Sequence, residues 1–276
     1  MKFGFVTCVQ LGLSCIEKIL EIGGNLDLLI TLHDNKAVSK SGRIFLDNLA
    51  RDHNIPLLKI DHINDQLVKD TIKEKKIDWL FVIGWSQIAD KELLDSPTKG
   101  CIGIHPTLLP IGRGRAAIPW AIIKGLDKTG VTMFKLDEGV DTGSIISQIE
   151  IPLESDETSS TLYKKVNDAH IDLIGDVFFK LQNDEIELKV QDESKATYWE
   201  GRTPKDGLIS PIMSVAEAER LVRATTHPYP GAFIENEDKK IIFWKAHIIN
   251  DTVEELTVPH IQLIDGILVA DEWEHV

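Results

Sequence analysis

Short apolar runs alternate with amphipathic stretches through the first hundred residues. Residues 3–7, 28–32, 55–60, 79–83 and 102–104 are such runs, and each reads as a strand. The run Trp79-Leu80-Phe81-Val82-Ile83 has no polar position, the pattern of a strand covered on both faces. Helical spacing fills the intervals. Ser14-Cys15-Ile16-Glu17 has the form of a capping box and predicts a helix running towards Gly23-Gly24. A polar loop over 35–43 leads to a helix ending near residue 53, and a further helix is predicted over 64–75. This alternation predicts an α/β fold, Rossmann-like, with a mostly parallel sheet and helices on both faces. In such sheets ligands bind outside the carboxyl ends of the strands. Two segments fall there: Gly84-Trp85-Ser86-Gln87 and His105-Pro106-Thr107.

The rhythm changes beyond residue 110. A helix is predicted over 115–124 with Pro119 near its first turn, then strands over 130–136 and 144–151 around a loop at 137–143. The longest amphipathic stretch, 158–182, places Leu162, Val166, Ala169, Leu173 and Val177 at three- and four-residue steps. A polar, turn-rich stretch over 191–209 marks a boundary. We therefore expect an N-terminal domain over 1–195 and a small C-terminal α+β unit over 196–276. In the latter, Ser214-Val215-Ala216-Glu217 is a second capping box, His227-Pro228-Tyr229-Pro230-Gly231 a turn, and 241–244 and 261–270 parts of a small β-unit.

Composition narrows the class. The 276 residues are 43% hydrophobic and 27% charged, enough apolar matter for a sizeable core and too much for general disorder. No run of about 18 apolar residues predicts a membrane span. The opening Met1-Lys2-Phe3-Gly4-Phe5-Val6 reads as a strand and not as a signal peptide, so a cytoplasmic protein without membrane partners is expected. With 44 acidic against 30 basic side chains the formal charge is −14. That field repels a phosphate backbone and argues against a nucleic-acid binder, while leaving room for a small anionic ligand held by local donors. Cys8, Cys15 and Cys101 lack metal-ligand spacing and read as small buried hydrophobes in a reducing compartment, so no metal is expected.

Two segments carry candidate chemistry. In Ile104-His105-Pro106-Thr107-Leu108-Leu109-Pro110-Ile111-Gly112-Arg113-Gly114 a histidine sits at a strand end, followed by two prolines and two glycines that shape a tight loop. A group titrating near neutrality on rigid backbone suits general-base work. A lone histidine in such a place is nonetheless more often structural. In Asp137-Glu138-Gly139-Val140-Asp141-Thr142-Gly143 the glycines permit a tight loop in which a carboxylate can be half-buried and orient a histidine. Taken alone this segment reads as a solvated acidic turn or a cation-binding loop, although calcium needs more oxygen ligands than so short a loop offers.

Together, the patterns HPTLLPxxRG and GVTxxxLDEGVDTG resemble the formyltetrahydrofolate-dependent formyltransferases. That superfamily includes methionyl-tRNA formyltransferase, glycinamide ribonucleotide transformylase and the sugar N-formyltransferases. The resemblance extends to Phe81-Val82-Ile83-Gly84-Trp85, to residues 199–207 and to residues 221–233. It implies the formyltransferase fold, His105 and Asp141 as the catalytic pair, and N10-formyltetrahydrofolate as co-substrate. It implies a folate pocket formed by Gly84, Trp85, Ser86, Gln87 and Ile88 with Leu109, Asp137 and Val140. One position departs from the family: it usually carries an asparagine two residues before the histidine, where this chain has Gly103. The expected role of that asparagine is to donate to the developing oxyanion. Ser86, Gln87 and protonated His105 are the candidate replacements.

The acceptor is argued from charge and length. The segment from Ser210 onward is rich in acid, which opposes binding a tRNA arm. Glycinamide ribonucleotide enzymes are expected to end near the catalytic domain. The phrases Thr7-Cys8-Val9-Gln10-Leu11-Gly12, Gly84-Trp85-Ser86-Gln87-Ile88 and Gly112-Arg113-Gly114-Arg115 resemble enzymes formylating a UDP-linked 4-amino-4,6-dideoxy sugar on a pseudaminic-acid-type route. A nucleotide sugar needs donors for its diphosphate, and Lys40, Ser41, Arg43 and Arg115 are the candidates; a solvated loop or an ion pair accounts for them equally well. The resemblance leaves a homodimer open. The competing readings are a formyltetrahydrofolate hydrolase, a methionyl-tRNA formyltransferase-like enzyme, and a non-catalytic protein that binds folate or nucleotide sugar.

Overall fold

The apolar runs of the sequence become strands in the computed structural model, which describes residues 1–36, 43–236, 239–249 and 256–276. In chain order the first elements are β1 (Phe3–Val6), α1 (Gln10–Glu21), β2 (Leu28–Leu32), α2 (Asp47–Asp52), β3 (Leu57–Ile60), α3 (Gln66–Lys75), β4 (Trp79–Val82), α4 (Lys91–Leu94) and β5 (Gly100–His105). The next are β6 (Arg113–Gly114), α5 (Ala117–Ile123), β7 (Lys128–Lys135), β8 (Ile145–Pro152), α6 (Ser159–Asn183) and β9 (Tyr198–Trp199). The last are α7 (Val215–Thr225), β10 (Ala232–Asn236), β11 (Lys239–Ile249), β12 (His260–Leu263) and β13 (Gly266–His275).

Seven strands form one sheet in the order β3-β2-β1-β4-β5-β7-β8. The first five run parallel, with β1 at Gly4↔Leu28 and Gly4↔Leu80 between β2 and β4. β7 turns antiparallel to β5 and sets His105 opposite Thr132. β1 and β2 are buried along their whole length, which is why they read as apolar runs interrupted only by Thr31 in β2. A core of Val6, Leu28, Ile30, Val68, Ile72, Leu80, Leu93 and Cys101 fills the space between the sheet and α3 and α4. The α/β fold with a mostly parallel sheet is thus the observed one.

The first capping-box expectation is corrected. α1 begins at Gln10, four residues before Ser14, and its N-cap Val9 makes no side-chain bond. The carbonyl of Val9 instead accepts from Gly12 and Leu13. Gly12 lies so close to Thr7 that a Cβ there would stand 2.0 Å from the threonine hydroxyl. The turn is set by this contact between Gly12 of α1 and Thr7, just past β1, and Ser14 is an interior helical residue whose hydroxyl accepts from Gln10.

The chain divides into two compact units. One holds residues 1–113, 130–151 and 166–198; the other holds 114–129, 152–165 and 199–276. In the second, β10-β11-β13-β12 form an antiparallel sheet. Its apolar face packs on α7 through Val215, Ala218, Leu221, Val222, Phe243 and Leu268. α7 opens with the predicted box: the Ser214 hydroxyl accepts from the Glu217 amide at 3.3 Å, and the Glu217 carboxylate accepts from the Ser214 amide at 2.9 Å. Among the described residues no helix is long and apolar enough to cross a membrane.

Candidate active site

β5 delivers His105 at its carboxyl end, and the loop after it is fixed from the neighbouring strands. The Thr132 hydroxyl donates to the Thr107 carbonyl at 2.7 Å and accepts from the Leu109 amide at 3.1 Å. Gln148 on β8 donates to the Leu109 carbonyl at 2.9 Å and to Thr132 at 2.8 Å. The histidine is buried, and its Nε2 lies 2.8 Å from the carbonyl oxygen of Gly112. A carbonyl only accepts, so Nε2 carries the proton and Nδ1 is the basic atom of the neutral ring.

Asp141 faces that atom. Its Oδ2 lies 3.6 Å from Nδ1 of His105, within ion-pair range of an imidazolium and just too long for a direct hydrogen bond. The structure therefore brings together the two residues that the sequence places 36 positions apart. The loop holding Asp141 is tied internally: the Asp137 carboxylate accepts from the Thr142 hydroxyl at 2.6 Å and from the Gly139 amide at 3.1 Å. His170 of α6 is wholly buried and donates from Nδ1 to the Val166 carbonyl at 2.7 Å. Burial, with the nearby His105 adding to it, pushes its pKa down to about 4, so it stays a neutral neighbour.

Gly103 is backed by hydrocarbon. A Cβ built there would lie 2.7 Å from Cδ2 of Leu136 and 3.3 Å from the Phe134 ring, so these two side chains occupy the place a larger residue would need. Of the candidate donors, Gln87 is committed elsewhere: its Oε1 accepts from the Ile63 amide at 2.8 Å and its Nε2 donates to the Asp61 carbonyl at 3.0 Å.

The segment after β4 turns sharply at Gly84, whose φ of +64° suits glycine and where a Cβ would meet Val9 at 2.2 Å. Trp85 is half-buried and packs against Cys8 and Leu32 with its ring nitrogen buried. Ile88 and Val140 are exposed, and Leu109 packs with Phe134 and Ile145. A cavity of about 580 Å³ opens beside the Asp137 loop, lined by Leu94, Leu136, Asp137, Glu138, Gly139 and three lysines, Lys91, Lys99 and Lys135, among others. Asp137 is the one residue of the predicted folate set that lines it. Among the described residues no cluster of three or more His, Cys, Asp or Glu side chains could hold a metal ion.

Residues 35–177 match the formyl transferase family, and residues 202–271 match the formyl transferase C-terminal domain. The chain belongs to the formyl transferase family. Methionyl-tRNA formyltransferase of Alkaliphilus oremlandii (strain OhILAs) is 30% identical over 273 residues, 98% of this chain and 88% of that relative. The bifunctional polymyxin resistance protein ArnA of Wigglesworthia glossinidia brevipalpis is 34% identical over 250 residues, 89% of this chain and 37% of ArnA. The N-formyltransferase of Helicobacter canadensis, solved in complex with folinic acid and dTDP-3-aminofucose, shares the fold. Its TM-score is 0.75 at 18% identity over 98% of each chain.

In this formyl transferase the predicted diphosphate donors divide. Lys40 and Ser41 lie outside the described residues. Arg43 turns its guanidinium onto β2, donating to the Thr31 hydroxyl and the Leu32 carbonyl, both at 3.2 Å, with Asp34 at 3.8 Å and the Phe45 ring at 4.8 Å. Arg115 is exposed and belongs to the second unit. Sequence reasoning passed over Gln191, which sits in a polar stretch read as a boundary, and it quoted Arg113 only as part of a motif. Both are buried in the formyl transferase, Arg113 completely, and both touch the segments that carry the pair. A cation inside a loop that otherwise reads as apolar was the one available signal.

Proposed function

We propose that this formyltransferase moves a formyl group from N10-formyltetrahydrofolate to the amine of a nucleotide-linked amino sugar. The narrower acceptor we propose is a UDP-linked 4-amino-4,6-dideoxy sugar of the pseudaminic-acid type. The observation that carries the reading is the pair itself: Nδ1 of His105 free of the Gly112 carbonyl and 3.6 Å from the Asp141 carboxylate. The co-substrate supplies the formyl carbon; its bond from that carbon to N10 breaks as the transfer completes, and N10 leaves by taking a proton. His105 accepts the acceptor amine's proton on Nδ1 as the new C–N bond forms, and Asp141 stabilises the imidazolium until that proton is passed on.

For the acceptor, the Helicobacter canadensis enzyme binds dTDP-3-aminofucose and shares this fold. The 30% identity to a methionyl-tRNA formyltransferase favours a second reading, formylation of an aminoacyl-tRNA. Charge weighs against it: from Ser210 onward the chain holds 12 acidic and 5 basic side chains.

The test is incubation with N10-formyltetrahydrofolate and a panel of UDP- and dTDP-amino sugars, with methionyl-tRNA as a further arm, read by mass. One formyl group gained on a sugar supports the proposal. Formylated tRNA alone selects the second reading, and loss of formyl without any acceptor selects a hydrolase. His105→Asn and Asp141→Asn are each expected to cut turnover at least about a hundredfold. Near-wild-type turnover in either removes that residue from the chemistry.

A further inference from the structure

We infer that Gln191 is a positioning residue: its side-chain amide holds the backbone of Asp141 so that the carboxylate meets His105. The inference rests on the reading of His105 and Asp141 as the reacting pair.

Asp141 is one of the few non-glycine residues with left-handed backbone, at φ +55°. For an L-residue this conformation is unfavourable and persists where surroundings impose it. The imposing group is Gln191. Its Nε2 donates to the Asp141 carbonyl at 2.8 Å and to the Gly143 carbonyl at 2.7 Å. Both amide hydrogens are thereby used, one on each side of Thr142, and the turn is gripped at two points.

The orientation of that amide is dictated by its neighbours. Oε1 accepts from Nε of Arg113 at 3.2 Å and from its Nη2 at 2.9 Å. Reversing the amide would set its oxygen against two carbonyls and its NH₂ against a guanidinium, leaving two contacts without a hydrogen and two without an acceptor. Arg113, fully buried, is itself fixed by the Glu193 carboxylate at 2.6 and 2.9 Å and by the Tyr198 hydroxyl at 2.8 Å. Its backbone amide donates to the Thr197 carbonyl at 2.9 Å, and the amide of Gly112 donates to the Thr197 hydroxyl at the same distance. Gly112 is the residue whose carbonyl receives His105.

One segment, 191–198, therefore registers both partners. Through Gln191 it places Asp141; through Thr197 and Arg113 it places the carbonyl that orients His105. No direct hydrogen bond joins the two side chains at 3.6 Å, so their spacing is inherited from these backbone anchors. Misplacement by about 1 Å can cost on the order of a hundredfold in rate.

Gln191→Glu separates positioning from scaffolding. It keeps an oxygen for Arg113 but withdraws both hydrogens from the Asp141 and Gly143 carbonyls. We expect kcat to fall at least about tenfold, with KM for folate donor and acceptor within about twofold. In an Asp141→Asn background the same substitution should change kcat by less than about twofold, since no carboxylate remains to be placed. An equal loss in both backgrounds, or a kcat within about twofold of wild type in the single variant, overturns the inference. Near-wild-type turnover of Asp141→Asn alone overturns the underlying reading of the pair, and the inference with it. If Gln191→Glu melts below the assay temperature, Gln191→Met removes the same hydrogens without adding charge and carries the same cycle.

Discussion

Burial of His170 couples the stability of this enzyme to pH. The imidazole lies wholly inside the first unit, with Nδ1 donating to the Val166 carbonyl at 2.7 Å. Its pKa is pushed down to about 4 from an ordinary value of 6.5. Between those values the unfolded chain binds a proton that the folded chain refuses, so stability falls as pH is lowered through that window and is unaffected above it. Linkage gives a loss of about 1.4 kcal/mol from this one group on going from pH 7.5 to pH 5.5. The lower pH stays above the pI of about 5.1, which preserves solubility. The perturbation is His170→Leu, which removes the titration and keeps an apolar side chain in the site. The assay is urea unfolding followed by circular dichroism at both pH values. Every other titrating group is common to the two proteins and cancels in the comparison. Wild type should lose about 1.4 kcal/mol more than the variant. Equal losses in the two would refute the reasoning.

Two further outcomes follow from packing. Gly103→Asn forces a side chain against Leu136 at 2.7 Å and should lower stability by about 1–3 kcal/mol, measured as a fall in melting temperature. Pairing it with Leu136→Ala should recover part of that loss, and an undiminished Gly103→Asn protein would contradict the packing argument. Cys15 and Cys101 are buried, and burial raises both thiols, Cys101 to about 12. Neither should react with Ellman's reagent in the folded protein at pH 8, while both should titrate in denaturant.

The elements most legible in the sequence were those whose burial is complete. β1 and β2 are covered along their whole length, and the all-apolar run from Trp79 announced β4 in the same way. The box at Ser214 was legible because both of its bonds are local. The box at Ser14 misled because the start of α1 is decided by a neighbour, Thr7 against Gly12, and not by a cap. The antiparallel turn of β7 left no mark on the pattern, since strand direction depends on the connection and not on alternation. At the site, His105 and Asp141 stood out through motif and spacing. Gln191 did not, because a glutamine that is buried by distant partners looks in sequence like any polar linker residue. Arg43 read as an anion donor, yet Thr31 and Leu32 take up its guanidinium.

The two side-chain amides behind the β4 loop have a consequence for how such an enzyme diversifies. Gln87 grips Asp61 and Ile63, while Asn64 donates to the Ile88 carbonyl and accepts from the Asp90 amide, each at 3.0 Å. The path of the loop is thus set from its rear by four bonds to one adjacent turn. Its front, where Ile88 projects into solvent, is released from structural duty. Mutations there can change the exposed surface of the loop without altering its course, so sequence change should accumulate on the outward side chains while the clasp behind them stays unchanged.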